Sequence, residues 1–128
     1  MNSSYIKALI WATLIFIGST ISGDSLDGVK FIIIPGLDKV IHFMWYFVLC
    51  LLILAGVTKQ KGKQTVKQIM LITLLCFVYG GLLEILQGTV FNKRSQDIFD
   101  FIANCSGALI ASITFGWFYK RKFWRKLI

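Results

Sequence analysis

The sequence predicts an all-α membrane protein, a compact bundle of four transmembrane helices with a short interfacial or re-entrant segment near residues 29–36. Three observations predict it. Of 128 residues, 56% are hydrophobic and only 16% charged, more apolar surface than one soluble domain of this length needs. Four long apolar segments, at about residues 6–22, 40–57, 68–86 and 98–119, approach or exceed the roughly 17–25 residues that cross a ~30 Å hydrocarbon core. The charges are sorted: short basic stretches alternate along the chain with regions that hold all the acids. There is one proline, no low-complexity linker and no repeat of solenoid period, so residues 1–128 read as a single domain.

The first segment follows Lys7 and reads as a retained span, because Ile15-Phe16-Ile17-Gly18-Ser19-Thr20-Ile21 lacks a small-x-small cleavage site. The run Phe31-Ile32-Ile33-Ile34-Pro35-Gly36 is too short to cross and is expected in the outer interface. The second segment opens on Asp38, Lys39, His42 and Tyr46, a polar stripe at helical spacing. Lys59, Lys61, Lys63 and Lys67 separate it from the third, with no acid among them. The third ends in Glu84 and Gln87, three apart and so near one helix face. A short turn with Lys93 and Arg94 leads to the fourth, whose Asp97, Asp100 and Asn104 form another stripe. Ala103, Gly107 and Ala111, spaced by four, and Gly80-Gly81 read as places where helices come close. The tail Trp117–Ile128 mixes aromatic and basic residues suited to headgroups.

Lys7, the four lysines of the central loop and the five bases of the tail make ten of the fourteen basic residues. If short basic segments stay inside, both termini are cytoplasmic and all six acids lie on the outer side or in the outer half of a helix. The net charge of +8 then meets anionic lipid, and no nucleic-acid partner is expected. Cys50, Cys76 and Cys105 lie within apolar runs and read as buried thiols.

This orientation brings three polar stripes to one depth and predicts a polar pocket that opens outward. Ionisable groups near a helix centre cost about 2.5–3.5 kcal/mol each on insertion scales, so they face the bundle interior and pair. Arg94, Lys39 and His42 are the expected partners, with Arg94 held by at least one of Glu84, Asp97 and Asp100. The pocket's candidate ligand-binding residues are Asp38, Lys39, His42, Tyr46, Glu84, Gln87, Arg94, Asp97, Asp100 and Asn104. A polar network that serves only to hold the helices together is the competing reading. It returns only about 0.6 kcal/mol per interhelical polar contact, little for so many ionisable groups.

The ordered set Asp38-Lys39-x-x-His42-Phe43-x-x-Tyr46, Glu84-x-x-Gln87, then Arg94, Asp97, Asp100 and Asn104 with Gly107 resembles the VanZ-like family of small bacterial membrane proteins. The resemblance covers about residues 38–111; Asn92-Lys93 stands before the arginine where the family pattern favours a proline or glycine turn. It implies a multi-pass protein of the bacterial plasma membrane, an outer-leaflet role in cell-envelope biology and a link to tolerance of the lipoglycopeptide teicoplanin. It implies no reaction.

Three uses of the pocket stay open: binding of a lipid headgroup or a lipid-linked or lipoglycopeptide ligand, catalysis on such a substrate, or a structural accessory role. In a binding site Arg94 and Lys39 meet phosphate or carboxylate, while the acids and Asn104 meet hydroxyls or amines. In an enzyme the catalytic candidates are His42, Glu84 and Asp100, as general acid and base. Alternatively His42 with Asp97 and Asp100 could hold a divalent metal, but one histidine and no HExxH-like pair make that case weak, and no metal or other cofactor is expected. A transporter is disfavoured, since four helices without internal repeats leave little to rock unless the protein oligomerises.

Overall fold

The structure is a computed structural model that describes residues 2–20, 36–89 and 97–128. Its elements are α1 (Ser3–Thr20), α2 (Leu37–Lys61), α3 (Val66–Thr89), α4 (Ile98–Lys120) and the short α5 (Lys122–Leu127). The first four are long and apolar enough to cross a membrane. No strand occurs among the described residues. The four expected spans are present and run one to four residues beyond the apolar segments at most ends. Of the expected interfacial segment, only Gly36 lies within the described residues.

Local chemistry sets the helix ends. Asn2 Oδ1 accepts from the backbone N–H groups of Ser4 (3.1 Å) and Tyr5 (3.3 Å), capping α1. α2 closes at Gly62, whose φ of 77° suits only glycine and whose N–H donates to Thr58 O at 2.9 Å. Thr65 and Gln68 then form a reciprocal capping box: Thr65 N–H donates to Gln68 Oε1 (2.9 Å) and Gln68 N–H to Thr65 Oγ1 (3.3 Å). Asp97 caps α4 by accepting from Phe99 N–H at 2.9 Å.

α2 is the central element and packs against each of the other three long helices, most extensively against α4. Its Cys50, Leu54 and Ala55 are wholly buried, with Ala108 and Ala111 of α4 in the same core. Gly107 explains the α2–α4 proximity. A Cβ placed there would stand 2.1 Å from the carbonyl oxygen of Phe43, so the two backbones touch. The expected small-residue stripe is therefore real at Gly107 and Ala111, while Ala103 is only half-buried.

α1 is attached by side chains that donate to main-chain carbonyls. Trp11 Nε1–H donates to Trp45 O (2.9 Å), Tyr79 O–H to Ala12 O (2.8 Å), and Asn2 Nδ2–H to Gly56 O (2.8 Å). Gly18 and Gly56 make room for the rings of Trp45 and Tyr5. The outward faces carry Leu9, Met70, Leu74, Ile98 and Ile113, all more than half exposed. Such faces suit hydrocarbon, into which only structures with satisfied backbone groups can insert.

The tail, expected as an interfacial mix of rings and bases, ends in a six-residue helix, α5, whose last residues meet the start of α1 and the end of α2. Trp124 meets Phe118 edge-on at 5.2 Å, and Arg121 sits over the Trp117 ring at 4.3 Å. The carbonyl of Ile128 accepts from Ser4 Oγ–H (2.6 Å) and Lys59 Nζ (3.1 Å), and that of Leu127 from Lys7 Nζ (2.8 Å). The start of α1, the end of α2 and α5 thus share one end of the bundle.

Replacing Gly107 with alanine forces α2 and α4 apart and should destabilise the protein by about 1–3 kcal/mol. Gly116→Ala, with nothing within 4 Å of the new methyl, should be neutral or slightly stabilising. Thermal unfolding of both variants in the same detergent checks this; equal melting temperatures would contradict the close α2–α4 contact.

Candidate functional site

A polar cluster lies at the bundle end opposite α5, where α2 and α4 begin and α3 finishes. Lys39 is at its mouth, on the first turn of α2. Its ammonium group donates to Asp38 Oδ2 (2.7 Å) and Asp97 Oδ2 (2.5 Å) and pairs with Asp100 Oδ1 (2.7 Å). Three carboxylates therefore share one cation. Asp97 is held below the ordinary carboxylate range, chiefly by its hydrogen bond with Lys39 and further by the Phe99 N–H.

One turn deeper, His42 is 6% exposed and stands between Glu84 and Asp100, each 8% exposed. Its Nδ1 is hydrogen-bonded to Asn104 Oδ1 at 3.1 Å and lies 3.8 Å from Glu84 Oε1. Nε2 lies 3.8 Å from Asp100 Oδ2. The spacing explains the convergence. Lys39 and His42 are three apart on α2, and Asp97, Asp100 and Asn104 step by three and four along α4, so each set follows one helix face. Gly107 continues that α4 face and touches Phe43, the neighbour of His42. The close helix contact and the buried polar residues therefore share one seam.

Seven of the ten expected site residues meet here: Asp38, Lys39, His42, Glu84, Asp97, Asp100 and Asn104. Tyr46 lies beneath the cluster, where its ring and Asn104 Cβ both close to 3.3 Å on the place a Cβ of Gly80 would take. Gln87 turns away from the cluster: its Nε2–H donates to Ser19 O at 3.0 Å and ties α3 to α1. Arg94 lies outside the described residues, as does its expected pairing. Among the described residues the cation that gathers the acids is Lys39.

Gly81, Glu84, Ile85, Asp97, Ile98 and Phe101 line a cavity of about 370 Å³ between α3 and α4. Two carboxylate-bearing residues thus share a groove with the half-exposed apolar residues Ile85 and Ile98. The sequence reading missed Gly81 and Phe101 as lining residues. Their adjacency to polar positions was the available signal, but an apolar residue beside a polar stripe looks the same whether it meets lipid, protein or a ligand.

A family model described as VanZ/LLP1 matches residues 4–119, nearly the whole chain. No curated protein and no solved structure matches.

Removing the shared cation leaves three carboxylates facing one another. Lys39→Met should melt several degrees below the wild type in detergent, and adding Asp38→Asn and Asp97→Asn should recover part of the loss. Lys63→Met, in the exposed α2–α3 connection, should change little. A Lys39→Met protein as stable as the Lys63→Met protein would show that the three-carboxylate arrangement does not hold the helix ends.

Proposed function

The chain belongs to the VanZ/LLP1 family, and from that premise we propose that it binds the headgroup of a membrane amphiphile in the groove between α3 and α4. The observation that carries this reading is the make-up of the groove. Ile85, Ile98 and Phe101 offer an apolar wall to a hydrocarbon tail, and Glu84 and Asp97 offer carboxylates to a headgroup. Lys39 is already committed to three carboxylates, so the headgroup meets acids first, through hydroxyl or ammonium groups. Arg94, which the sequence assigns to a phosphate or carboxylate, would add an anion contact.

In this reading the protein is a multi-pass component of the bacterial plasma membrane with both termini cytoplasmic. Ten of fourteen basic residues fall on that side and the groove faces the outer leaflet. The ligand is a lipid, a lipid-linked envelope precursor or the amphiphilic part of a lipoglycopeptide, which is how the chain would bear on glycopeptide tolerance.

One observation favours a second reading, an enzyme on the same amphiphile. His42 is buried between two carboxylates, an arrangement suited to proton transfer.

Native mass spectrometry of amphiphiles retained by the detergent-purified protein tests the proposal. Gly81→Leu directs a side chain toward Phe101 and into the groove, and should lower retention at least about tenfold while helicity is unchanged. Glu84→Gln should weaken retention by about tenfold to a hundredfold, as expected for one charged hydrogen bond. Unchanged retention in both variants would overturn the binding reading. Full retention in Glu84→Gln, with complete loss of an envelope-antibiotic phenotype in cells, would favour the enzyme, because an amide cannot act as a general base.

A further inference from the structure

We propose that His42, Glu84 and Asp100 bind a divalent transition-metal ion of the zinc class. One donor atom from each lies within 4.8 Å of those of the other two, and all three residues are buried, each supplied by a different helix. The second observation concerns the imidazole. In the tautomer whose Nδ1–H donates to Asn104 Oδ1, Nε2 carries the lone pair, and the side chain is only 7% exposed. Among the described residues, Nε2 has no hydrogen-bond partner. It faces Asp100 Oδ2 across 3.8 Å, which is beyond hydrogen-bond length. A cation between Nε2 and Asp100 Oδ2, a metal ion or a proton, would satisfy both atoms, and only a metal would also draw in Glu84.

The spacing suits a metal. Donors at about 2.0–2.1 Å from a tetrahedral ion stand about 3.3 Å apart, so the 3.8 Å separation closes with a shift of about half an ångström. A mixed imidazole and carboxylate set is one that zinc and manganese accept. Asn104 has the part that an outer partner of a ligating histidine commonly has, fixing the tautomer and the ring. Asp100 serves both neighbours, Oδ1 toward Lys39 and Oδ2 toward the ion. The neighbouring acidic group Asp38, Asp97 and Asp100 also has donor atoms close enough for a metal, but the Lys39 ammonium already pairs with all three.

The sequence alone suggests His42 with Asp97 and Asp100 as a weak metal set; in the structure Glu84 takes the place of Asp97 beside His42 and Asp100, because the three ligands come from separate helices rather than one motif. The inference stands on the cluster and not on the amphiphile reading, yet Glu84 belongs to both the cluster and the groove. A bound ion would therefore place a Lewis-acidic centre beside the groove.

The chain's single histidine makes the test direct. The full-length protein, purified in detergent without a polyhistidine tag and labelled with ¹⁵N-histidine, is titrated with Zn²⁺. The proposal expects one ion per chain and a shift of the His42 Nε2 resonance that saturates at that stoichiometry, with Nδ1 still protonated. Glu84→Gln and Asp100→Asn should each weaken binding at least about tenfold, and Asn104→Ala by about tenfold or more. An imidazole resonance unmoved by excess Zn²⁺ in the wild type would overturn the site whatever the total metal content. So would a shift that both carboxylate variants retain at full affinity. Amphiphile retention measured without metal binding would sink this inference alone and leave the proposed function standing.

Discussion

The contact between α2 and α4 at Gly107 and Phe43 is the constraint on which the rest of the structure depends. Where a backbone carbonyl lies 2.1 Å from the place a Cβ would take, no other residue fits without separating the helices. That closeness brings Asn104, one turn from Gly107, within hydrogen-bond reach of His42, and Asp97 and Asp100 within reach of Lys39. Between looser helices the same polar residues would face hydrocarbon without partners. The packing of small residues and the satisfaction of buried charge are thus one device.

The two ends of the bundle divide their work. At the α5 end, the Ser4 hydroxyl and the Lys7 and Lys59 ammonium groups converge on the main-chain oxygens of Leu127 and Ile128. At the other end one lysine gathers three carboxylates, and a histidine stands between two carboxylates below it. The acidic end is where a groove bounded by Ile85, Ile98 and Phe101 reaches the polar residues. A ligand that brings hydroxyl or ammonium groups, or a metal ion, suits the carboxylates gathered there.

Much of the architecture was legible because the membrane imposes simple rules. Four apolar lengths gave four helices, and polar residues at intervals of three and four gave the stripes that meet at His42 and Lys39. Gln87 shows the limit. Three residues advance a helix by about 300°, leaving Gln87 about 60° around from Glu84, far enough to reach Ser19 on α1 instead of the cluster. The groove was not legible either, because Gly81 and Phe101 sit among apolar residues and the faces toward core and lipid have similar composition. α5 was too short, and too crowded with bases and rings, for periodicity to mark it as a helix.

The account's central claim is that the polar cluster is reached from the lipid between α3 and α4. An experimental structure in lipid nanodiscs tests this most directly. The account predicts elongated density against Ile85, Ile98 and Phe101, ending in a headgroup within hydrogen-bond distance of Glu84 or Asp97. A groove closed by its own side chains, with the carboxylates sealed from the lipid, would contradict it.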